Sequence, residues 1–99
     1  MSHSSSVLSD QEIAHYLSTT LSNWSYQENA LWRKWGTHDW RNSMRLALQI
    51  SELAERHQHH PQLTIKYSEV IIELFSHDVN AITMRDIELA QDLEKLNSN

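Results

Sequence analysis

The feature that most constrains this chain lies between Trp40 and Ala54. There Trp40, Met44, Ala47, Leu48 and Ala54 recur at helical spacing, and Leu46, Ile50 and Leu53 broaden the apolar face. A helix this broadly apolar needs a wide partner, and a sheet is the natural one. Segments suited to strands flank it on both sides. "WSYQENALWRKW" (Trp24 to Trp35) has aromatic ends and a polar centre, which predicts two strands joined by a turn, although the turn lacks glycine. "QLTIKY" and "EVIIELFSH" are rich in β-branched and aromatic residues and predict two more strands with a turn near Ser68, His77 falling at the end of the last one.

Helix signals close the pattern at both ends. "SDQE" (Ser9 to Glu12) has capping-box spacing ahead of Ile13, Tyr16, Leu17 and Leu21. Asp39, after Gly36, is placed to cap the central helix. Thr83, with Asp86 three residues on, opens a last helix carrying Ile87, Leu89, Ala90, Leu93 and Leu96. The order helix, two strands, helix, two strands, helix predicts an α+β fold, a four-stranded antiparallel sheet with three helices packed on one face. Residues 1–8 are polar and serine-rich and are expected to form a disordered tail, with one domain over residues 9–97.

Composition narrows the function classes. A formal net charge of -5 opposes binding driven by nucleic-acid phosphates, and "WRKW" is the single basic and aromatic patch. The 99 residues include no cysteine and no apolar run long enough for a membrane span, so a soluble cytoplasmic protein is expected, with neither nucleic acid nor membrane as partner. Four tryptophans leave room for self-association through exposed aromatic surface.

Three of the seven histidines crowd into "HQHHP" (His57 to Pro61), just after the central helix. Pro61 fixes its own φ and biases His60 towards extended geometry, so the imidazoles of His59 and His60 sit on comparatively rigid backbone. Imidazole exchanges protons near neutral pH, and two or three around one pocket can serve as acid and base. The pattern alone leaves three readings open. The histidines are solvated surface residues, or a zinc or copper site built from His57, His59, His60, His77 and Asp86, or proton-transfer groups with Asp86 orienting one of them. His3, His15 and His38 read as ordinary surface or core-edge residues, and Trp32, Trp35 and Trp40 as core.

Glu55, three residues, His59-His60-Pro61, five residues, Tyr67, nine residues, His77, eight residues, Asp86: this spacing resembles the signature of the pterin-4a-carbinolamine dehydratases. The likeness runs through "ALWRKWGTHDWRNSMRLALQISELAERHQHHP" and covers roughly residues 24–94. It implies dehydration of 4a-hydroxytetrahydropterin to quinonoid dihydropterin and water, in tetrahydropterin recycling. It implies no metal and no cofactor, pterin being the substrate, and a homodimer or homotetramer with a functional link to a pterin-dependent aromatic amino-acid hydroxylase. By resemblance His59 and His77 do acid/base work, His60 holds substrate, and Asp86, Ser76 and Pro61 bind or orient. The alternative on the same scaffold is a non-catalytic protein-binding or assembly module. Ala81 stands where many relatives have glycine, so a turn needing positive φ there is expected to be strained.

Overall fold

The computed structural model describes residues 6–97. Ser9 starts α1 (Asp10–Ser18) through a complete capping box: its hydroxyl accepts from the Glu12 amide at 3.1 Å, and the Glu12 carboxylate accepts from the Ser9 amide at 2.8 Å. The chain continues through β1 (Ser25–Gln27), β2 (Ala30–Gly36), α2 (Trp40–His57), β3 (Gln62–Lys66), β4 (Glu69–Leu74) and α3 (Met84–Glu94), and ends in a 3-10 turn, Lys95–Asn97. Asp39 caps α2 by accepting from the Asn42 amide at 2.9 Å. The element order matches the one read from the sequence. So does the fold class, α+β with three helices and one four-stranded antiparallel sheet.

The strands lie in the order β1-β2-β4-β3, so the two hairpins join through β2 and β4. Register places Leu31 opposite Leu74, Arg33 opposite Ile72 and Trp35 opposite Val70. Leu31, Trp35, Val70, Ile72 and Leu74 are buried and form the sheet side of the core. Ile50 from α2 and Ile87, Leu89, Ala90 and Leu93 from α3 complete it, with Ile13 from α1. Arg33 shares this inner face and is satisfied there: its Nε donates to Glu94 at 2.7 Å and its guanidinium lies 4.6 Å from the Trp35 ring centre. Burial alone would raise the Glu94 carboxyl, but hydrogen bonds from Arg33, Asn23 and Trp24 outweigh it and hold the group below the usual carboxylate range.

The β1–β2 turn forms without glycine because Glu28 and Asn29 both take left-handed backbone, at φ 53° and 63°. Two left-handed residues are the mark of the turn whose twist suits a hairpin. In α2 the buried stripe differs from expectation. Ser43, Ala47, Ile50 and Ala54 face the core, while Trp40, Met44 and Leu48 are 51%, 43% and 63% exposed. Helical spacing cannot choose between two neighbouring stripes. The inward one admits Ser43 because its hydroxyl hydrogen-bonds Thr37 Oγ1 at 2.5 Å and donates to the Tyr67 carbonyl at 3.1 Å.

β4 stops at Leu74, so His77 falls beyond the strand rather than at its end. Ser76 and Ala81 instead form an isolated bridge that closes a tight loop. The left-handed residue of that loop is Asn80, at φ 52°, so the strain expected at Ala81 does not arise. Asparagine tolerates this conformation better than most side chains. Of the tail expected over residues 1–8, residues 1–5, His3 included, lie outside the described residues. Leu8 donates its amide to the Ile82 carbonyl at 2.9 Å and packs against the core. No helix among the described residues is long and apolar enough to cross a membrane.

Candidate active site

The end of α2 decides where two adjacent imidazoles go. Gln58 takes left-handed backbone at φ 51°, its amide donates to the Glu55 carbonyl at 3.1 Å, and the His59 amide donates to the Ala54 carbonyl at 3.0 Å. This pair of bonds is a Schellman motif with glutamine in the place glycine usually takes. The reversal turns His59 inward, 6% exposed, and leaves the His60 side chain 59% exposed.

Asp86 is fully buried and gathers what the interior offers. Its Oδ1 lies 2.6 Å from His59 Nε2, and its Oδ2 accepts from Ser76 Oγ at 2.7 Å and from the Thr83 amide at 2.9 Å. Ser76 and Thr83 hydroxyls are themselves 2.8 Å apart. Thr83 is the N-cap of α3 and Asp86 the reciprocal member of its capping box, so one carboxylate both starts a helix and holds an imidazole. Because the carboxylate accepts, His59 donates from Nε2–H, and in the neutral ring Nδ1 carries the lone pair.

The other expected site residues lie close by along the chain. His60 Nε2 pairs with Glu55 Oε2 at 2.5 Å on the surface. With Pro61 it lines a cavity of about 120 Å³ whose other walls are Ile50, Ser51, Ala54 and Leu63. His77 is exposed and rests against Phe75, ring centres 4.4 Å apart. No hydrogen bond joins it to His59 or His60 among the described residues. It follows Ser76 directly, just as His60 follows His59, so each of the three histidines is within one residue of a group bonded to Asp86. His59, Ser76 and Asp86 therefore form one hydrogen-bonded unit, while His60 with Pro61, and His77, stand beside it.

Thr83 and Glu55 belong to this constellation and were not among the expected site residues. Thr83 was readable as a helix cap, and the Thr83-to-Asp86 spacing that marks the cap is the same signal. His57 is not part of this hydrogen-bonded unit and pairs instead with Asp92 at 2.7 Å, and this hydrogen bond holds the Asp92 carboxyl below its ordinary value. Arg85 bonds Asp78 at 2.6 Å and lowers that carboxyl in the same way. No three histidine or carboxylate side chains converge as a metal-ligand set among the described residues.

A buried imidazole held by a carboxylate, with exposed His60 and His77 next along the chain to His59 and Ser76, on a helix-backed antiparallel sheet, defines a small α+β protein with a buried histidine–aspartate pair. A family model described as Pterin 4 alpha carbinolamine dehydratase matches residues 6–96, and the chain belongs to that family. A relative from Thermomicrobium roseum is 38% identical over 91 residues, covering 92% of this chain and 97% of its own. One from Metallosphaera sedula is 35% identical over 89 residues, covering 90% and 92%. Both carry the name "Putative pterin-4-alpha-carbinolamine dehydratase". The crystal structure of a transcriptional coactivator/pterin dehydratase from Brucella melitensis has the same fold, with a TM-score of 0.85 at 24% identity, covering 92% of this chain and 98% of that one.

Proposed function

We propose that the protein dehydrates 4a-hydroxytetrahydropterins to quinonoid dihydropterins, with His59, His60 and His77 as the working groups. The observation that carries this reading is the buried Asp86 carboxylate, 2.6 Å from His59 Nε2 and accepting from Ser76 Oγ, the two residues that directly precede His60 and His77 in the chain. The reaction breaks the C4a–O bond, sends the oxygen out as water after it gains a proton, and removes a ring N–H proton to form the new double bond. It moves two protons and no net electrons, so it asks for an acid and a base and for no cofactor. His59, with Nε2–H committed to Asp86, presents Nδ1 as the base. His77 has no carboxylate partner among the described residues and suits the acid. His60, held by Glu55 beside Pro61, contacts substrate, and Ser76 fixes Asp86. Paired acid and base groups of this kind contribute about 10²–10⁴-fold each.

The same reading places the protein in the cytoplasm, recycling pterin for an aromatic amino-acid hydroxylase, as a homo-oligomer. The exposed stripe Trp40, Met44 and Leu48 supports association through α2, and it equally suits the alternative, a protein-binding module. The deciding experiment generates 4a-hydroxytetrahydropterin and follows its loss by ultraviolet absorbance, with and without purified protein, in the presence of chelator. Acceleration above the spontaneous rate supports the dehydratase. No acceleration by folded protein overturns it and leaves the binding module.

A further inference from the structure

His59 and His60 are each held by a carboxylate, at 2.6 Å and 2.5 Å, whereas His77 has no such partner among the described residues. It is exposed, and an exposed side chain samples several rotamers unless something fixes it. An acid must meet the departing oxygen in one orientation, and a misplacement of about 1 Å can cost about 10²-fold in rate. Two contacts, one on each side of His77 in the chain, supply that constraint.

The first comes from Phe75. Ser76 is turned inward to Asp86, and the residues on either side of it, Phe75 and His77, meet each other. Their ring centres are 4.4 Å apart with planes inclined at 44°. The phenyl ring is part-buried and packs against the core, so it is a fixed surface for the imidazole to rest on. The second comes from Asp78. Arg85 Nη2 donates to its Oδ1 at 2.6 Å, and this bond keeps the Asp78 carboxyl below its ordinary value, so it is charged throughout the neutral range. Arg85 belongs to the first turn of α3 and directly precedes Asp86. One helical turn therefore holds His59 through Asp86 and the neighbour of His77 through Arg85. The loop between these contacts is closed at its base, where the Ser76 amide donates to the Ala81 carbonyl at 2.9 Å and the Val79 amide to the Ser76 carbonyl at 3.3 Å. A surface ion pair adds little to stability, but on a loop already closed it can select one arrangement.

We propose that Phe75 and Asp78 are the positioning residues of His77, the phenyl ring backing its imidazole and Asp78 tying its backbone to α3 through Arg85. Neither touches the reacting atoms. This assignment rests on the dehydratase reading and adds to it the groups that aim the acid.

The test compares Phe75→Leu, which keeps apolar bulk without a ring, and Asp78→Ala with wild type in the pterin absorbance assay. Each variant is checked for folding by its ¹⁵N fingerprint. The expected result is kcat lower by about 10-fold or more with KM changed by less than about twofold. Phe75→Tyr and Asp78→Glu, which keep the ring and the carboxylate, should stay within about threefold of the wild-type rate. In a His77→Ala background the same two replacements should lower the rate no further, because they act through the missing imidazole. Relaxation of the ¹³C-labelled His77 ring should show it more mobile in both variants. The proposal is overturned if wild type is active and the variants match it, if they slow His77→Ala as much as they slow wild type, or if the His77 ring stays equally ordered. Wild-type protein that gives no acceleration is a separate result, which overturns the dehydratase reading and this assignment with it.

Discussion

Replacing Asp86 by asparagine separates what the carboxylate does for the fold from what it does for His59. The amide keeps one oxygen, which can still accept from Ser76 Oγ and the Thr83 amide. Its NH₂ then faces His59 Nε2, where the present contact is 2.6 Å. Two donors cannot share that distance, so the imidazole must move its proton to Nδ1 and accept at Nε2. Three charge-assisted bonds become neutral ones, a loss of roughly 1 kcal/mol each, and part of it is recovered because a charge no longer has to be buried. The net expectation is about 1–3 kcal/mol, within the 5–15 kcal/mol typical of a domain, so the variant folds with a melting temperature lower by roughly 4–8 °C per kcal/mol. Catalysis suffers more, because the proposed base nitrogen now carries the proton, and the dehydration rate should fall about 10²–10⁴-fold. Three measurements check this: thermal melting, the pterin absorbance assay, and the ¹⁵N shifts that distinguish the two imidazole tautomers. A folded Asp86→Asn protein with a wild-type rate, or with its proton still on His59 Nε2, refutes the reasoning.

Glu94→Ala should cost about 2–4 kcal/mol in urea unfolding, because it strands the Arg33 guanidinium and the buried Trp24 indole N–H. The wild-type Glu94 carboxyl is depressed when folded, so its stabilisation is present above its ordinary value near 4.5 and fades as pH falls through the lower folded value; the variant's acid limb should be shallower there. Glu28→Asn combined with Asn29→Gly supplies residues suited to φ of 53° and 63° and should raise stability by about 1 kcal/mol, read as a higher urea midpoint with unchanged slope. Met44→Glu with Leu48→Glu alters only exposed positions and should change monomer stability by less than about 0.5 kcal/mol each, while sedimentation velocity shows the proposed oligomer dissociating.

The elements were legible because each carries a local signal. Capping spacings at Ser9 and Thr83, the Asp39 cap and β-branched runs all work within a few residues. Of the site, the residue types and the likeness around His59, His60 and Asp86 were legible, yet the partition between an inward His59 and an outward His60 was not. It depends on Gln58 accepting a left-handed conformation that its side chain does not advertise. The choice between the Ser43 and Met44 stripes was hidden for a similar reason. It rests on Thr37, across the turn into α2, and on the Tyr67 carbonyl, 24 residues away, which make a serine welcome in the interior.

Because Thr83 and Asp86 both begin α3 and immobilise His59, fraying of that helix and release of the imidazole are one event. A helix end usually opens without consequence for chemistry elsewhere. Here an opening of the first turn detaches the Thr83 amide from Asp86 and loosens the carboxylate's hold on the ring. The hydrogen-exchange rate of one backbone amide, Thr83, thus becomes a clock for how often the buried imidazole loses its anchor, readable without any substrate in the tube.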